Sequence, residues 1–352
     1  MSQELIFTND VSGAVSSIRS SMGMPSAWVL MDENVERLVW PGMMDCDGFK
    51  GAHKIVVPSG DENKNLDTLS YIWGRLQEQG ATRRSLLINL GGGVVTDMGG
   101  FAAATFKRGI RFVNVPTTLL AAVDAAVGGK TGINFNGFKN EIGAFCEASA
   151  VVVSTCMFDT LPGREILSGY AEMLKHGMLS GRGQYGELLA FDPVADDRER
   201  LLSLLRDSVE VKRRIVAEDP HESGLRKALN LGHTAGHAFE SLALRRGKPV
   251  PHGYAVAWGC VVELVLSHIE KGFPAAELRR FADYVLNHYG AYFIDCSDYG
   301  ALLELMRHDK KNDSASVNFT LLEDVGTVDI NCICDDEKIK MALDLYRDLM
   351  HI

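Results

Sequence analysis

Along the first 160 residues, short apolar runs alternate with amphipathic stretches. Ala27–Met31, Lys54–Val57, Leu86–Leu90, Phe112–Val115 and Val151–Val153 are nearly continuous in apolar side chains, the pattern of strands buried on both faces of a parallel sheet. Between them, Asn65–Gln79 follows the helical period and places Leu66, Leu69, Ile72, Trp73 and Leu76 on one face. Strand–helix alternation of this kind predicts an α/β layer with helices on both sides of the sheet.

Near Asp159–Gly163 the pattern changes, and Pro162 and Gly163 punctuate the chain there. Arg164–Leu179, Asp196–Glu218, Ala228–Ala243, Tyr254–Lys271 and Ala275–Tyr289 all read as helices. Val317–Leu322 and Thr327–Ile330, separated by a turn containing Gly326, predict a hairpin, and Asp335–Met350 a closing helix. The expectation is an α/β domain over residues 1–160 and a mainly α-helical domain over 161–352.

Composition narrows the class. The 352 residues are 46% hydrophobic and 23% charged, which suits a globular protein of two domains. An excess of 46 Asp+Glu over 36 Lys+Arg leaves a net charge of −10, which opposes non-specific binding to nucleic acid or anionic membranes. No stretch reaches the roughly 20 uninterrupted apolar residues of a membrane span. The start, MSQELIFTND, lacks the pattern of a secretory signal, and seven scattered cysteines do not make a disulfide scaffold. A cytoplasmic protein with no nucleic-acid or membrane partner is expected.

Leu86–Leu90 runs into Gly91-Gly92-Gly93-Val94-Val95-Thr96-Asp97. Glycines between a strand and a helix bring bare backbone N–H groups and a helix N-terminus close to a ligand phosphate. Thr96 stands where the usual dinucleotide fingerprint has its third glycine, so the loop taken alone suits a tight packing turn equally well. The polar loop Ser59–Lys64 and the Pro116-Thr117-Thr118 turn follow two further strands. Three loops after parallel strands favour a bound nucleotide.

The second half carries metal-type donors. His233 and His237 lie four residues apart on one helix, His252 opens another, and Glu172 sits one turn before Lys175. Imidazoles with a carboxylate suit Zn²⁺, and spacing alone pairs His233 with His237. Single cations beside Gly or Asn, at Lys107-Arg108, Lys130, Lys139-Asn140, Lys212, Arg226 and Lys310-Lys311, suit a pocket for phosphate or carboxylate.

From Ser59 to Asp313 these motifs, in order and spacing, resemble the 3-dehydroquinate synthase family of sugar phosphate cyclases. The resemblance is carried by GGGVVTDMGGF, FKRGIRFVNVPTTLLAAVDAAVGGKTGIN, KNEIGAF, AEMLKHG, LNLGHTAGHAFE and HGYAVAWG. It implies an α/β nucleotide-binding domain followed by a mainly helical metal-binding domain, one NAD⁺, one Zn²⁺ for which Co²⁺ can substitute, and a homodimer. The implied reaction converts 3-deoxy-D-arabino-heptulosonate 7-phosphate to 3-dehydroquinate and phosphate. It proceeds by transient oxidation, phosphate elimination, re-reduction and intramolecular aldol closure. Another sugar phosphate cyclase and a metal-dependent polyol dehydrogenase are the alternatives.

Carried over by the resemblance, the metal ligands are Glu172, His233 and His252, and His237 becomes a substrate-side hydrogen-bonding group. NAD⁺ is expected along Asp32, Glu62, Lys64, Gly92, Gly93, Val94, Asp97, Thr117, Thr118, Lys130, Lys139 and Thr160. Substrate phosphate and carboxylate are expected at Lys130, Asn140, Lys175, Lys212, Arg226, Asn230 and Lys310, with Arg108 reaching the neighbouring subunit's site. Asp124 and Glu222 complete the polar lining. Many members carry an acid after the His-Gly pair where this chain has Tyr254, which puts the orienting partner of His252 in question.

Overall fold

The computed structural model describes residues 3–24, 26–195, 197–307 and 317–352. By packing, the chain divides into a first unit, Met1–Pro162 with Asp196–Val209, and a second, Gly163–Ala195 with Glu210–Ile352. The expected boundary at residue 160 lies two residues before the first break, and residues 196–209 fall with the first unit.

The first unit contains β1 (Glu4–Phe7), α1 (Val11–Ser21), β2 (Ala27–Asp32), α2 (Glu33–Leu38), β3 (His53–Val57), α3 (Leu66–Glu78), β4 (Leu86–Gly91), α4 (Gly93–Thr105), β5 (Arg111–Pro116), β6 (Lys130–Phe135), β7 (Phe138–Phe145) and β8 (Ala150–Val153). Six of these strands form one sheet in the order β1-β8-β5-β4-β2-β3, and every pairing in it is parallel. β4 and β8 are buried at every position, which is why their sequences run apolar without alternation but for Asn89, whose side chain bonds Asn114. The chain leaves β2 toward β3 on one side and leaves β4 toward β5 on the other. A ligand crevice opens at the carboxyl ends of adjacent strands where the winding reverses in this way.

Two expectations need correction here. In α3 the buried residues are Thr68, Leu69, Ile72 and Leu76, whereas Leu66 is 48% exposed and Trp73 is only partly covered. Leu66 follows the N-cap Asn65, whose side chain accepts from Thr68 N, and the first turn projects from the sheet before the apolar stripe begins. Residues 130–145, read only as a source of cations, form the antiparallel β6–β7 hairpin instead. All but one position of β7 are exposed, so the strand carries no buried-strand signature.

The second unit contains α5 (Gly163–Ser180), α6 (Arg182–Leu189), the end of α7 (Arg198–Glu218), α8 (His233–Arg245), α9 (His252–Lys271), α10 (Ala275–Tyr289), α11 (Tyr299–Arg307), the antiparallel hairpin β9 (Val317–Asp324) and β10 (Thr327–Cys334), and α12 (Asp336–Leu349). α9 is buried almost without interruption from Gly253 to Ser267, as befits a helix surrounded by others. α5, α8, α10, α12 and β9 pack against it. The helix expected from Ala228 begins at His233. Leu225–Asn230 form a 3₁₀ turn, and Gly232 adopts a left-handed conformation (φ 79°) that breaks the run.

Candidate active site

At the crevice of the first unit, Gly92 caps α4 and Thr117 N donates to Gly91 O (3.0 Å). A Cβ on Gly91 would lie 2.5 Å from Val95 Cβ, and one on Gly92 would lie 3.1 Å from Thr118 Cγ2. Gly91 is thus required by close approach and Gly92 stands in tight contact with Thr118, and the glycine N-cap supplies no side-chain bond to the first amides of α4. The helix-to-strand contact that the fingerprint assigns to its third glycine is made one turn later. A Cβ on Gly99 would lie 2.0 Å from Asn89 Oδ1, a side chain held by its bond to Asn114 (2.9 Å).

Lys64 is almost fully buried, and its ammonium donates to both Asp97 Oδ2 and Asn140 Oδ1. Asn134 ties the β6–β7 hairpin to the same loop: its N donates to Lys64 O (2.8 Å) and its Nδ2 to Asp61 O (3.0 Å). Lys139 Nζ lies 3.7 Å from Asp61 Oδ2. Lys64, Asp97, Lys139 and Asn140 therefore gather at one edge of the crevice. Asn140, assigned with the substrate cations, keeps company with the nucleotide loop.

The other first-unit residues are more dispersed. Asp32 uses its carboxylate to cap α2, accepting from Val35 N (2.9 Å), and Thr118 Oγ1 accepts from Ala121 N (3.1 Å). Val94 is half-buried in the first turn of α4, and Asp124 lies in the π-turn Ala121–Ala125. Glu62, Lys130 and Thr160 are exposed. Arg108 is also exposed, with φ 67° following Lys107 at φ 50°, so two consecutive non-glycine residues hold left-handed backbone.

In the second unit, glycines draw three helices together. A Cβ on Gly253 would lie 1.8 Å from Ser168 O of α5, and one on Gly259 would lie 2.1 Å from Gly232 O at the start of α8. This packing brings Glu172 of α5, His233 and His237 of α8, and His252 of α9 into one cluster. Glu172 is fully buried. Its Oε2 pairs with Lys175 Nζ, while its Oε1 has no hydrogen-bond partner among the described residues and lies 3.5 Å from His233 Nε2 and 3.6 Å from His252 Nε2. Burial alone would raise the Glu172 carboxyl, but Lys175 and His252 outweigh it and hold the group well below the ordinary carboxylate range.

Those separations are too long for good hydrogen bonds. They are close to the roughly 3.3–3.4 Å edge of a tetrahedron whose donors lie about 2.0–2.1 Å from one ion. His233 Nδ1 contacts Leu231 O (3.1 Å) and His252 Nδ1 contacts Glu240 Oε2 (3.1 Å), so in both rings Nε2 is the nitrogen turned to Glu172. Burial lowers the His252 imidazole, but Glu172 and Glu240 outweigh it and push it up to about 9. One ring nitrogen from each of His233, His237 and His252 lies within 4.8 Å of the other two, so His237 belongs to the cluster as well.

Lys175, which touches the cluster through Glu172, is buried, and so are Lys212 and Arg226 elsewhere in the same unit. Asp219 accepts from Ser223 N (3.0 Å), Gly224 N (2.7 Å) and Arg226 N (3.1 Å), and Arg226 Nη1 donates to Pro220 O (2.6 Å). Asn230 Nδ2 donates to Glu222 Oε1 (3.2 Å), with Glu222 at φ 60°. Lys310 lies outside the described residues.

Three contributors have no role assigned by the sequence, although Glu240 closes the LNLGHTAGHAFE motif. Glu240 orients His252, and the only hint was its place one turn after His237. Asp219 organises the loop leading to Arg226, and Glu263 bonds the start of α8. Tyr254, where an acid was expected, packs edge-on against Tyr289 (5.0 Å between ring centroids). Glu240 supplies the partner of His252 instead.

Residues 54–168 match the family model described as 3-dehydroquinate synthase N-terminal, and residues 169–312 match its C-terminal counterpart. A curated 3-dehydroquinate synthase from Parabacteroides distasonis is 50% identical over 346 residues, covering 98% of each chain. Among solved structures, 2-deoxy-scyllo-inosose synthase complexed with carbaglucose-6-phosphate, NAD⁺ and Co²⁺ is similar (TM-score 0.82, 23% identity, 96% of this chain and 95% of that one). So is 2-epi-5-epi-valiolone synthase from Streptomyces hygroscopicus with NAD⁺ and Zn²⁺ bound (TM-score 0.81, 21% identity, 99% and 97%). The polar crevice at the sheet and the carboxylate–histidine cluster thus lie in matched domains spanning most of the chain, which belongs to the 3-dehydroquinate synthase family.

Proposed function

We propose that this chain converts 3-deoxy-D-arabino-heptulosonate 7-phosphate to 3-dehydroquinate and phosphate, a phosphorus–oxygen lyase reaction of the shikimate pathway. The observation that carries the reading is Glu172 Oε1, which has no hydrogen-bond partner among the described residues and lies between His233 Nε2 and His252 Nε2, in a chain half identical to a curated 3-dehydroquinate synthase. The named cyclase structures, at 21–23% identity, support the fold alone.

Glu172, His233 and His252 would hold a divalent ion, Zn²⁺ or Co²⁺. NAD⁺ would lie on the first unit along the glycine turn, Lys64, Asp97 and the Thr117–Thr118 turn. When bound, the two groups supply a Lewis acid at a substrate oxygen and a reversible hydride acceptor. The chain's own residues prepare for them. Lys175 neutralises one oxygen of Glu172 and leaves the other directed at the two imidazoles. Leu231 O and Glu240 fix the tautomers that present Nε2. Arg226, anchored through Asp219 and Pro220, offers a planar fork suited to carboxylate or phosphate. Lys212, Asn230 and Lys310 share that role, and His237 hydrogen-bonds the substrate. Cations so placed stabilise charge developing on the leaving phosphate and the enolate.

The protein is proposed to act in the cytoplasm as a homodimer to which Arg108 contributes across the interface. Supporting the dimer, the hairpin β6–β7 exposes Phe135, Phe138, Ile142 and Phe145, two of them by about 60% (62% and 59%). No described helix is long and apolar enough to cross a membrane.

The test is phosphate release from 3-deoxy-D-arabino-heptulosonate 7-phosphate, with and without chelator, while NADH absorbance is followed. Chelator-sensitive release without net NADH is expected. Release only from a different sugar phosphate would move the assignment to another cyclase, and NADH accumulation with a polyol would make the chain a dehydrogenase.

A further inference from the structure

α8 begins without a cap of its own. Its N-cap is Gly232, which has no side chain, and a Cβ there would lie 2.2 Å from Cys260 Sγ and so exclude a capping residue. The amides of a first helical turn nonetheless need acceptors when buried. They are supplied from α9: Glu263 Oε2 accepts from Gly232 N (2.6 Å), and Glu263 Oε1 from Ala235 N (3.1 Å). Glu263 is fully buried, a costly place for a carboxylate unless its oxygens are bonded. It lies eleven residues after His252, three turns along α9, so both residues share one face. The turn of α9 that follows Glu263 is tied to β9, because Ser267 Oγ donates to the Glu263 backbone carbonyl (2.7 Å) and accepts from Leu322 N (3.0 Å).

One helix therefore carries the metal-type donor His252 and also the group that fixes the residues flanking His233. We propose that Glu263 is a positioning residue for the metal site: its bonds to Gly232 N and Ala235 N set where His233 Nε2 stands relative to Glu172 and His252. The inference rests on the metal assignment of the preceding section. It adds to that assignment a residue that touches neither ion nor substrate. A negative charge at the start of α8 is also favoured by the helix dipole, so the charge and both oxygens matter. Glutamine keeps one acceptor and turns an NH₂ group toward an amide donor. Aspartate keeps the charge and gives up reach.

The experiment uses the full chain freed of metal and titrated with Co²⁺, read by the visible spectrum of the bound ion and by the affinity. Wild type is compared with Glu263→Gln and Glu263→Asp. Ile339→Val, a buried change on α12, serves as the control for lost stability alone. The expected result is Co²⁺ affinity about 10- to 100-fold weaker in Glu263→Gln, with an altered spectrum, smaller changes in Glu263→Asp, and neither effect in Ile339→Val. NAD⁺ affinity should be equal in all four proteins. Should Glu263→Gln not fold, Glu263→Asp carries the test on the same two readouts. Wild-type affinity and spectrum in a folded Glu263 variant, whatever its melting temperature, would overturn the proposal and leave the metal assignment intact. A wild-type chain that takes up no Co²⁺ or Zn²⁺ would overturn the metal assignment and this inference with it.

Discussion

His252 Nδ1 lies 3.1 Å from Glu240 Oε2, on the far side of the ring from Glu172. The contact joins the last turns of α8 to the first residue of α9 and fixes which imidazole nitrogen faces the cluster. An imidazole ring with a carboxylate behind it is a better donor and rotates less.

Glu240→Ala should therefore weaken divalent metal binding by about 10- to 100-fold while leaving the fold in place. Competitive titration against a chromophoric chelator measures this, and unchanged affinity would remove Glu240 from the site.

Glu172→Gln should have two effects. It removes the anionic donor, and it takes the carboxylate charge from beside the buried Lys175 ammonium, a break in a buried ion pair worth about 3–5 kcal/mol. Metal analysis should find less than stoichiometric zinc, and thermal unfolding should shift down. The double variant Glu172→Gln with Lys175→Met should recover part of the stability and none of the metal.

Gly99→Ala tests the sheet side. Its Cβ would lie 2.0 Å from Asn89 Oδ1 and 2.8 Å from Leu30 Cδ2, a clash inside a packed layer. Overpacking of this kind costs about 1–3 kcal/mol. NAD⁺ affinity should fall with it, since α4 carries the glycine turn, and metal binding should persist. Equal loss of both would show that the two groups do not bind to separate units.

Acid should release the loop that anchors Arg226. Burial raises the Asp219 carboxyl, but the amides of Gly224, Ser223 and Arg226 outweigh it and lower the group from 3.8 to about 2. A carboxyl lowered on folding stabilises the folded state fully above its unfolded value and loses that contribution as pH falls through its folded value. The stability advantage of wild type over Asp219→Asn should thus be complete above about pH 4 and vanish on descending to about pH 2. Denaturant titrations of the pair at several pH values provide the check. At neutral pH the variant should raise KM for the sugar phosphate more than it changes NAD⁺ affinity.

The amino-acid sequence by itself determined the alternation of buried strands and helices, the change to a helical second half, the glycine turn and the supply of metal-type donors. Each of these is written locally. A strand covered on both faces is apolar except where a polar side chain finds a partner, as β8 is throughout and β4 is but for Asn89, and a turn under steric pressure must be glycine, as at Gly91. Tertiary structure decided which groups meet. Spacing alone pairs His233 with His237, yet the close packing of Gly253 on Ser168 and Gly259 on Gly232 carries Glu172 to within 3.6 Å of both His233 and His252. The same holds for Glu240 behind His252, for Glu263 at the start of α8, and for the exposed hairpin β6–β7 that anchors Asn140 to Lys64. Periodicity reports how deeply each residue is buried. It is silent on which residue from a distant element stands opposite, because that is set by the packing of one helix or strand against another.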